Sequence, residues 1–294
     1  MTYWTFLFFA LLSTFGGLYM PPVQEDAAVA VEELTVEVIS TRPHDPDAYT
    51  QGLLLHDGLL YESAGRYGRS NLRQVDPETG DVLRQIDLPD YFFAEGLALV
   101  EDRLIQLTWR EQIALVYDFD GFINDTLPAA SLMQYAGQGW GLCYDGSDLY
   151  MTDGSSTLFQ RDAETFEVTA EIPVTLDGQL VSSLNELECV DDDVYANIYQ
   201  TDTIVRIDKA SGQVTARIDA SGLLTAEETA ALGQQPFPLS VLLFDNQAQQ
   251  FNVRRVNEGG FVLNGIAYDP QADTFLITGK MWPKLFEVRF VPAG

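Results

Sequence analysis

One acidic residue, Glu95, stands in the otherwise apolar or small run YFFAEGLALV at 91–100. A carboxylate in such surroundings is costly to bury unless it has a partner, a shifted pKa or a chemical task. Lysine is the second conspicuous residue type, because the chain contains only Lys209, Lys280 and Lys284. A carboxylate and an ammonium group in one pocket could move protons and stabilise a developing negative charge.

Four other stretches are built like the one around Glu95, namely TQGLLLHD, GWGLCYDG, LNELECVD and LNGIAYDP. Aligned on the residue before Gly-Leu or its equivalent, the five stretches define the head residues Gln51, Glu95, Trp140, Asn185 and Asn264. Successive head residues are 44, 45, 45 and 79 residues apart. A period near 45 is typical of four-stranded propeller blades, and we interpret the last gap as one period plus an insert.

A second landmark supports this register. Fourteen residues after each of the first four head residues a second β run ends, at Gly65, Trp109, Gly154 and Tyr199. The hairpin of the fifth unit is two residues longer, and the matching position is Lys280. We call these five the rim residues. Two more β runs follow in most units, so the sequence predicts an all-β fold, a five-bladed β-propeller.

The two ends of the chain are predicted to meet. The fifth unit has only three β runs, and the run LTVEVIS at 34–40 is predicted to complete the last blade, which leaves no bare sheet edge. The insert near 219–258 contains TAEETAAL, in which Thr225 and Glu228 form a capping box that predicts one short helix. The propeller domain, predicted to carry the catalytic site, therefore spans 31–294.

The first 30 residues are excluded from the predicted fold. Residues 1–20 are apolar without charged side chains, and two prolines follow them. We predict an export signal with AVA at 28–30 as a cleavage candidate, and an uncleaved N-terminal anchor is the alternative. The expected localisation is therefore exported, in the periplasm, in the cell envelope or outside the cell.

The chain is strongly acidic, with 44 acids against 16 bases in 294 residues and a formal net charge of −28. Such a surface repels nucleic acid and anionic membranes. No nucleic-acid partner is expected, and membrane contact is expected only through the possible N-terminal anchor. The scarcity of lysine among so many acids favours a protein of a salt-tolerant, halophilic organism.

The two cysteines, Cys143 and Cys189, exclude a disulfide-rich scaffold and a multi-cysteine zinc site. They stand three and four residues after their head residues, on strands whose side chains alternate between faces. We therefore predict two buried thiols rather than a disulfide. With only two histidines in the chain, a His-rich metal centre is not expected either.

The head residues should form a ring at one mouth of the central channel, bordered by rim residues, because the innermost strands of a propeller run along its axis. Tyr49 and Phe93 can add to the aromatic wall of this pocket, whose profile is typical of a small-molecule site. Taken singly, Gln51 or Asn264 is better explained as structural. Glu95 and Lys280 are expected to form a functional pair rather than a chance ion pair. Lys280 should hold the carboxylate ionised, while the apolar wall should raise the pKa of Glu95.

Six stretches then show a resemblance to a known family: PHDPDAYTQGL, LYESAGRYGRSNLR, FAEGLALVEDRLIQLTW, GWGLCYDGSDLYMTDGSSTL, LNELECVDDDVYANIYQTDTIVRID and VLNGIAYDPQADTFLITGKMWPKLFEV. Between about residues 37 and 290 the chain resembles the plant-type and bacterial glutaminyl-peptide cyclotransferases, or glutaminyl cyclases. The resemblance implies a five-bladed propeller that converts the N-terminal glutamine of peptides to pyroglutamate and releases ammonia. Nothing in the sequence supplies the zinc site of the animal-type cyclases, so no cofactor or metal is expected.

The resemblance also implies residue roles. Glu95 matches the family's catalytic glutamate in a Phe-Gly-Glu-Gly stretch, although Ala94 replaces the first glycine. Asn185 matches the asparagine of the Asn-Glu-Leu-Glu motif, and Lys280 the lysine of the Thr-Gly-Lys-x-Trp-Pro motif. Tyr199 stands where the family usually has Trp. The predicted substrate-binding residues are Gln51, Tyr49, Phe93, Trp109, Trp140, Tyr199 and Asn264.

Two alternatives of other classes remain open. A propeller can be a non-catalytic peptide- or protein-binding module, because this fold by itself says little about function. A metal-dependent propeller hydrolase of the lactonase type is the other alternative, and it needs several channel acids around a divalent cation. Glu62, Glu186 and Glu188 lie near the head residues in sequence and keep that alternative open.

Overall fold

The structure is a computed structural model that describes residue 1 and residues 30–124, 129–233 and 260–294. Three sheets consist of four consecutive antiparallel strands each. The first contains β2 (Thr50–His56), β3 (Leu59–Ala64), β4 (Asn71–Val75) and β5 (Val82–Asp87). The second contains β6 (Ala94–Val100), β7 (Arg103–Thr108), β8 (Ile113–Asp118) and β9 (Ala129–Gln134). The third contains β10 (Leu142–Tyr144), β11 (Asp148–Met151), β12 (Thr157–Asp162) and β13 (Val168–Pro173).

A fourth sheet has eight strands. In spatial order they are β16 (Leu184–Val190), β17 (Asp193–Ile198), β18 (Thr203–Asp208), β19 (Val214–Asp219), β1 (Glu32–Pro43), β22 (Lys284–Pro292), β21 (Thr274–Gly279) and β20 (Leu263–Asp269). Only β1 and β19 pair in parallel, so the sheet consists of two four-stranded antiparallel units joined along one edge. A small hairpin of β14 (Thr175–Leu176) and β15 (Gln179–Leu180) follows β13.

The first strands of the five units form a ring. Strands β2, β6, β10, β16 and β20 contact one another in this cyclic order, and β20 returns to β2. The glycine after a head residue makes the close approach possible, since a Cβ on Gly96 would lie 2.5 Å from the Leu142 nitrogen. A Cβ on Gly141 would lie 2.0 Å from the Asn185 carbonyl oxygen. The predicted all-β fold is confirmed, and we interpret the five units as the predicted blades.

The N-terminal strand closes the last unit, as predicted. β1 pairs antiparallel with β22 from Leu34 opposite Pro292 to Pro43 opposite Lys284. Its first residues also pair with β19, so β1 covers the outer edges of two units at once. This pairing removes two sheet edges that would otherwise be open to other chains.

Within the described ranges, two short helices accompany the strands. The predicted one is α2 (Ala226–Gly233), and its capping box is present. The Thr225 main-chain N–H donates to the Glu228 carboxylate at 2.9 Å, and the Glu228 N–H donates to Thr225 Oγ1 at 3.2 Å. The other, α1 (Phe119–Ile123), was not predicted, and Asp118 caps its N-terminus.

Parts of two predicted segments lie outside the described residues, namely 2–29 of the N-terminal segment and 234–258 of the insert. Within the ranges that the structure describes, no helix is both long enough and apolar enough to cross a membrane.

The prediction of two free thiols is wrong, because Cys143 on β10 and Cys189 on β16 form a disulfide. Their Cα atoms lie 5.5 Å apart. The two residues do stand on opposite faces of equivalent strands. Neighbouring units, however, pack face to face, so one face of a unit meets the opposite face of the next. Because the two cysteine side chains point to opposite faces of adjacent units, both point into the interface between these units, where the two sulfur atoms meet.

Candidate active site

A cavity of about 100 Å³ opens at the end of the ring where the inner strands begin. Nine of the ten residues singled out from the sequence line it: Tyr49, Gln51, Phe93, Glu95, Trp109, Trp140, Asn185, Tyr199 and Lys280. They come from all five units, so the repeat brings together residues that are up to 231 positions apart in the chain. The remaining residue, Asn264, lies behind this lining.

Irregular strand pairing orients the head residues. Gln51, Glu95 and Asn185 are each the second residue of an inner strand. At each of these positions the register with the second strand of the unit shifts, which marks a β-bulge or similar irregularity. Bulges turn a side chain away from the regular alternation and are frequent beside active sites. The shift recurs because the head motif recurs.

Glu95 is buried, with 4% of its surface exposed, and accepts a hydrogen bond from Gln51 Nε2 at 3.1 Å. Burial raises the pKa of its carboxyl group well above the usual range. The positive charge of Lys280 opposes that rise, and the negative charge of Glu111 adds to it. Burial has the larger effect, and the two opposing influences, the apolar surroundings and the charge of Lys280, are those expected from the sequence.

Lys280 is equally buried, and its Nζ donates to Gln51 Oε1 at 2.5 Å. Burial lowers the pKa of the ammonium group to about 8, against the opposing effects of the negative charges of Glu95 and Glu186. In the part of the chain that the structure describes, Glu95 and Lys280 form no direct ion pair. The predicted pair is instead linked through the amide of Gln51, which donates to the carboxylate and accepts from the ammonium group.

Aromatic rings form the walls. The Phe93 ring centre lies 5.4 Å from that of Trp109 and 6.3 Å from that of Tyr49. On the other side, Trp140 and Tyr199 meet edge to face at 5.4 Å. The Lys280 nitrogen lies 4.9 Å from the ring centre of Tyr49 and 5.0 Å from that of Tyr199. These distances permit cation–π attraction, which helps to retain a buried positive charge.

Glycine at two rim positions makes room for the lining. A Cβ on Gly154 would lie 2.6 Å from the Trp140 ring, and the φ of Gly154 is +83°. A Cβ on Gly65 would lie 2.6 Å from the Phe93 ring and 2.9 Å from Gln51 Cγ. The rim residues therefore either line the cavity themselves or leave space for a head residue to do so.

Asn264 is completely buried and supports the cavity from behind. Its Nδ2 donates to the Thr50 carbonyl oxygen at 2.9 Å and lies 3.4 Å from Gln51 Oε1. The structure therefore gives Asn264 a contact with Gln51 rather than a place in the lining.

This geometry belongs to a chain with known relatives. The glutamine cyclotransferase family model matches residues 11–290. The chain belongs to the glutamine cyclotransferase family. It is 34% identical over 260 residues to a glutaminyl-peptide cyclotransferase of Arabidopsis thaliana, with 88% of this chain and 72% of that protein covered. It is also similar to the crystal structure of Myxococcus xanthus glutaminyl cyclase, with a TM-score of 0.72 and 33% identity. That similarity covers 90% of this chain and 100% of the other. The family inferred from the motifs is confirmed.

Sequence reasoning missed Gln138. Its Oε1 accepts from the indole N–H groups of Trp109 at 2.7 Å and Trp140 at 3.1 Å, and so fixes both rings. The repeat contained a signal for this residue, because Tyr49, Phe93 and Gln138 each stand two residues before a head residue.

A further pair outside the lining was also missed. The Tyr67 hydroxyl donates to Glu111 Oε1 at 2.8 Å, and the Tyr67 ring packs on Phe93 with centres 5.3 Å apart. The repeat carries a signal for this pair as well, because Tyr67 and Glu111 each stand two residues after a rim residue.

The acids on which the metal-dependent alternative relied already have partners in the glutamine cyclotransferase fold. Glu62 accepts hydrogen bonds from Arg73 and Thr50. Glu186 and Glu188 accept from main-chain N–H groups of other inner strands. Among the described residues, no group of three or more His, Cys, Asp or Glu side chains is arranged to hold a metal ion.

Proposed function

We propose that this protein converts the N-terminal glutamine of peptides and proteins to pyroglutamate and releases ammonia. The observation that carries the proposal is a buried carboxylate and a buried ammonium group, Glu95 and Lys280, linked by Gln51 inside an aromatic cavity of a glutamine cyclotransferase. No nucleic acid takes part in this reaction, and the partners are peptides that begin with glutamine.

The chemistry needs a proton carrier. The α-amine nitrogen attacks the γ-carbonyl carbon of the same residue, a new C–N bond closes the five-membered ring, and the bond to the side-chain nitrogen breaks. Glu95 takes the proton from the amine and returns it to the nitrogen that leaves as ammonia, so the carboxylate ends as it began. A pKa raised by burial suits this task, because it makes the carboxylate a stronger base toward the proton of the amine.

The reaction also needs donors for the negative charge that develops on the γ-oxygen. We assign this role to Lys280 and Asn185, which both line the cavity. One such donor typically contributes about 3–4 kcal/mol to stabilising a transition state. Gln51 holds Glu95 and Lys280 in place, and Asn264 holds Gln51.

The remaining lining residues are assigned to substrate binding. Tyr49, Phe93, Trp109, Trp140 and Tyr199 enclose the folded glutamine side chain. Their shape favours the bend that brings amine and amide together, and their apolar surfaces exclude the water that would hydrolyse the amide instead.

The test is ammonia release from a dipeptide that begins with glutamine. Glu95→Gln is expected to lower kcat by about 10²–10⁴-fold, since it removes the proton carrier. The exposed Glu167→Gln serves as the matched control and should turn over at the wild-type rate. Wild-type turnover by a folded Glu95→Gln variant would refute the role of Glu95. Activity should persist after chelation, and its loss would favour the metal-dependent alternative.

We also propose that residues 1–30 direct export, as a cleaved signal or an uncleaved anchor, and that residues 31–294 form the catalytic domain. The Cys143–Cys189 disulfide supports this, because such bonds persist mainly in oxidising compartments. The acid excess further supports a salt-rich environment. N-terminal sequencing of the protein from its host checks the leader: a start at residue 31 means cleavage, and a start at Met1 means an anchor.

A further inference from the structure

Glu186 follows Asn185 on β16, and only 1% of its surface is exposed. Its Oε1 accepts the main-chain N–H of Leu53 on β2 at 3.2 Å. Its Oε2 accepts the main-chain N–H of Ile266 on β20 at 2.8 Å. One buried carboxylate therefore joins the inner strands of three units.

These hydrogen bonds provide acceptors for main-chain N–H groups that the ring of inner strands leaves without a strand partner. The channel-facing edge of an inner strand carries N–H groups that pair with no further strand, and buried donors without acceptors are costly. The fourth unit supplies acceptors to β20 in a row. Asn197 Oδ1 accepts from Gly265 at 3.1 Å, Glu186 from Ile266, and Glu188 Oε1 from Tyr268 at 2.9 Å. Of the three, only Glu186 also bonds to β2.

The strands that Glu186 joins carry the reacting groups. β16 carries Asn185, β2 carries Gln51, and β20 carries Asn264. β21, which pairs with β20, ends immediately before Lys280. A displacement of these strands would move both hydrogen-bond donors assigned to the γ-oxygen.

Glu186 also acts on Lys280 through its charge. Two anionic groups influence the ammonium group of Lys280, Glu95 from β6 and Glu186 from β16, and both oppose the lowering of its pKa by burial. The rings of Tyr49 and Tyr199 face the same nitrogen. Glu188 is not among the groups that act on it.

Burial raises the pKa of Glu186 as well, and the nearby charge of Glu188 adds to the rise. The N–H groups of Leu53 and Ile266 and the charge of Lys280 oppose it. Because each oxygen accepts an N–H group, both bonds favour the ionised form.

We propose that Glu186 is a positioning residue of the active site, which holds the strands of Gln51 and Asn185 in place and keeps Lys280 in its charged form. The role of Lys280 in turnover rests on the proposed function. The hydrogen bonds of Glu186 and the effect of its charge on Lys280 do not depend on the proposed function.

The test compares Glu186→Gln with Glu188→Gln, which removes a carboxylate from the same face of the same strand two residues farther along. The chain has three lysines, so ¹³C-labelled lysine gives few NMR signals, and Lys280→Met identifies the one that titrates near pH 8. The first readout is the titration midpoint of Lys280. The second is the alkaline limb of kcat/KM for a Gln-Ala dipeptide amide.

A negative charge stabilises the ammonium form, so neutralising Glu186 should lower the midpoint from about 8 by about one pH unit. A protonated Lys280 donates to the γ-oxygen, so the alkaline limb should move to lower pH by the same amount. Glu188→Gln should change neither the titration midpoint of Lys280 nor the alkaline limb of kcat/KM. If Glu186 had only a structural role, Glu186→Gln would lower the melting temperature without moving the titration midpoint of Lys280. An unchanged midpoint in folded Glu186→Gln therefore overturns the proposal.

If Glu186→Gln does not fold, Glu186→Asp replaces it. The shorter side chain keeps its charge but cannot reach both N–H groups, so kcat should fall about tenfold or more with the midpoint retained. Wild-type kcat in this variant also overturns the proposal. Because the NMR midpoint requires no turnover, a wild-type protein that fails to cyclise Gln-Ala amide would refute the proposed function alone.

Discussion

Gln51 explains how an acid and a base can share a buried cavity. Burial shifts the pKa of Glu95 upward and that of Lys280 downward to about 8, so each group loses part of its preference for the charged form. A primary amide offers a donor to a carboxylate and an acceptor to an ammonium group at the same time. Gln51 uses both, and it keeps the two groups apart while holding each in a fixed position.

The first prediction concerns Gly154, which lies beneath the Trp140 ring. Gly154→Ala should lower the free energy of unfolding by about 1–3 kcal/mol, because its φ of +83° disfavours any side chain. It should also raise KM, because the new Cβ would lie 2.6 Å from the indole and displace it. Urea unfolding and steady-state ammonia release measure the two effects.

The matched control is Gly178→Ala. Gly178 has a similar φ of +75°, and within the described part of the chain no atom lies within 4 Å of an added Cβ. This variant should lose stability for the same backbone reason while KM stays at the wild-type value. If KM is the same in both alanine variants, the indole of Trp140 does not shape the substrate site.

Periodicity predicted which residues meet in the cavity, because equivalent positions on inner strands must face the same mouth. It could not predict their partners. The pairing of Glu95 with Lys280 was expected, whereas their link through Gln51 depends on side-chain conformations that no spacing encodes. Gln138 was overlooked for a different reason, since its position two residues before Trp140 carries the signal.

At the scale of elements, local patterns were the most informative. The closure of the last unit by β1 followed from a missing fourth run, and the capping box of α2 from two residues. The disulfide could not be predicted from one strand at a time, because it depends on how two units pack. Cys143 and Cys189 belong to a shared interface with Leu187 and Val194.

The disulfide between Cys143 and Cys189 leads to a prediction about stability. It joins residues 46 positions apart, and closing a loop of this length should stabilise the fold by about 4 kcal/mol through the unfolded state. The double variant Cys143→Ala/Cys189→Ala should therefore unfold at lower urea concentration. Its kcat at 25 °C should match the wild type, because neither cysteine lines the catalytic cavity.

Reductant supplies the control for this comparison. It should shift the urea midpoint of the wild type toward that of the double variant and leave the variant unchanged. A double variant as stable as the oxidised wild type would mean that the bond does not brace the two units.

At the scale of the whole molecule, charge is the dominant feature. A formal net charge of −28 generates repulsion that opposes the compact state. The attractive pairs differ in how they respond to salt. The buried pair Glu62–Arg73 is shielded from ions, whereas the exposed pair Glu33–Arg217 is weak even in dilute buffer. Salt therefore screens mostly repulsion.

The melting temperature should accordingly rise with sodium chloride. The screening length falls from about 10 Å at 0.1 M to about 3 Å at 1 M, so most of the rise should occur below 1 M. Differential scanning calorimetry at constant pH measures it, and sucrose at matched osmolality provides the control, because a non-ionic solute stabilises by exclusion without screening. A melting temperature that falls with salt would mean that ion pairs outweigh the surface repulsion. A rise that is equally large in sucrose would mean that charge has no net effect on stability. A rise specific to salt would place the excess of acids among the adaptations that let this propeller fold in concentrated electrolyte.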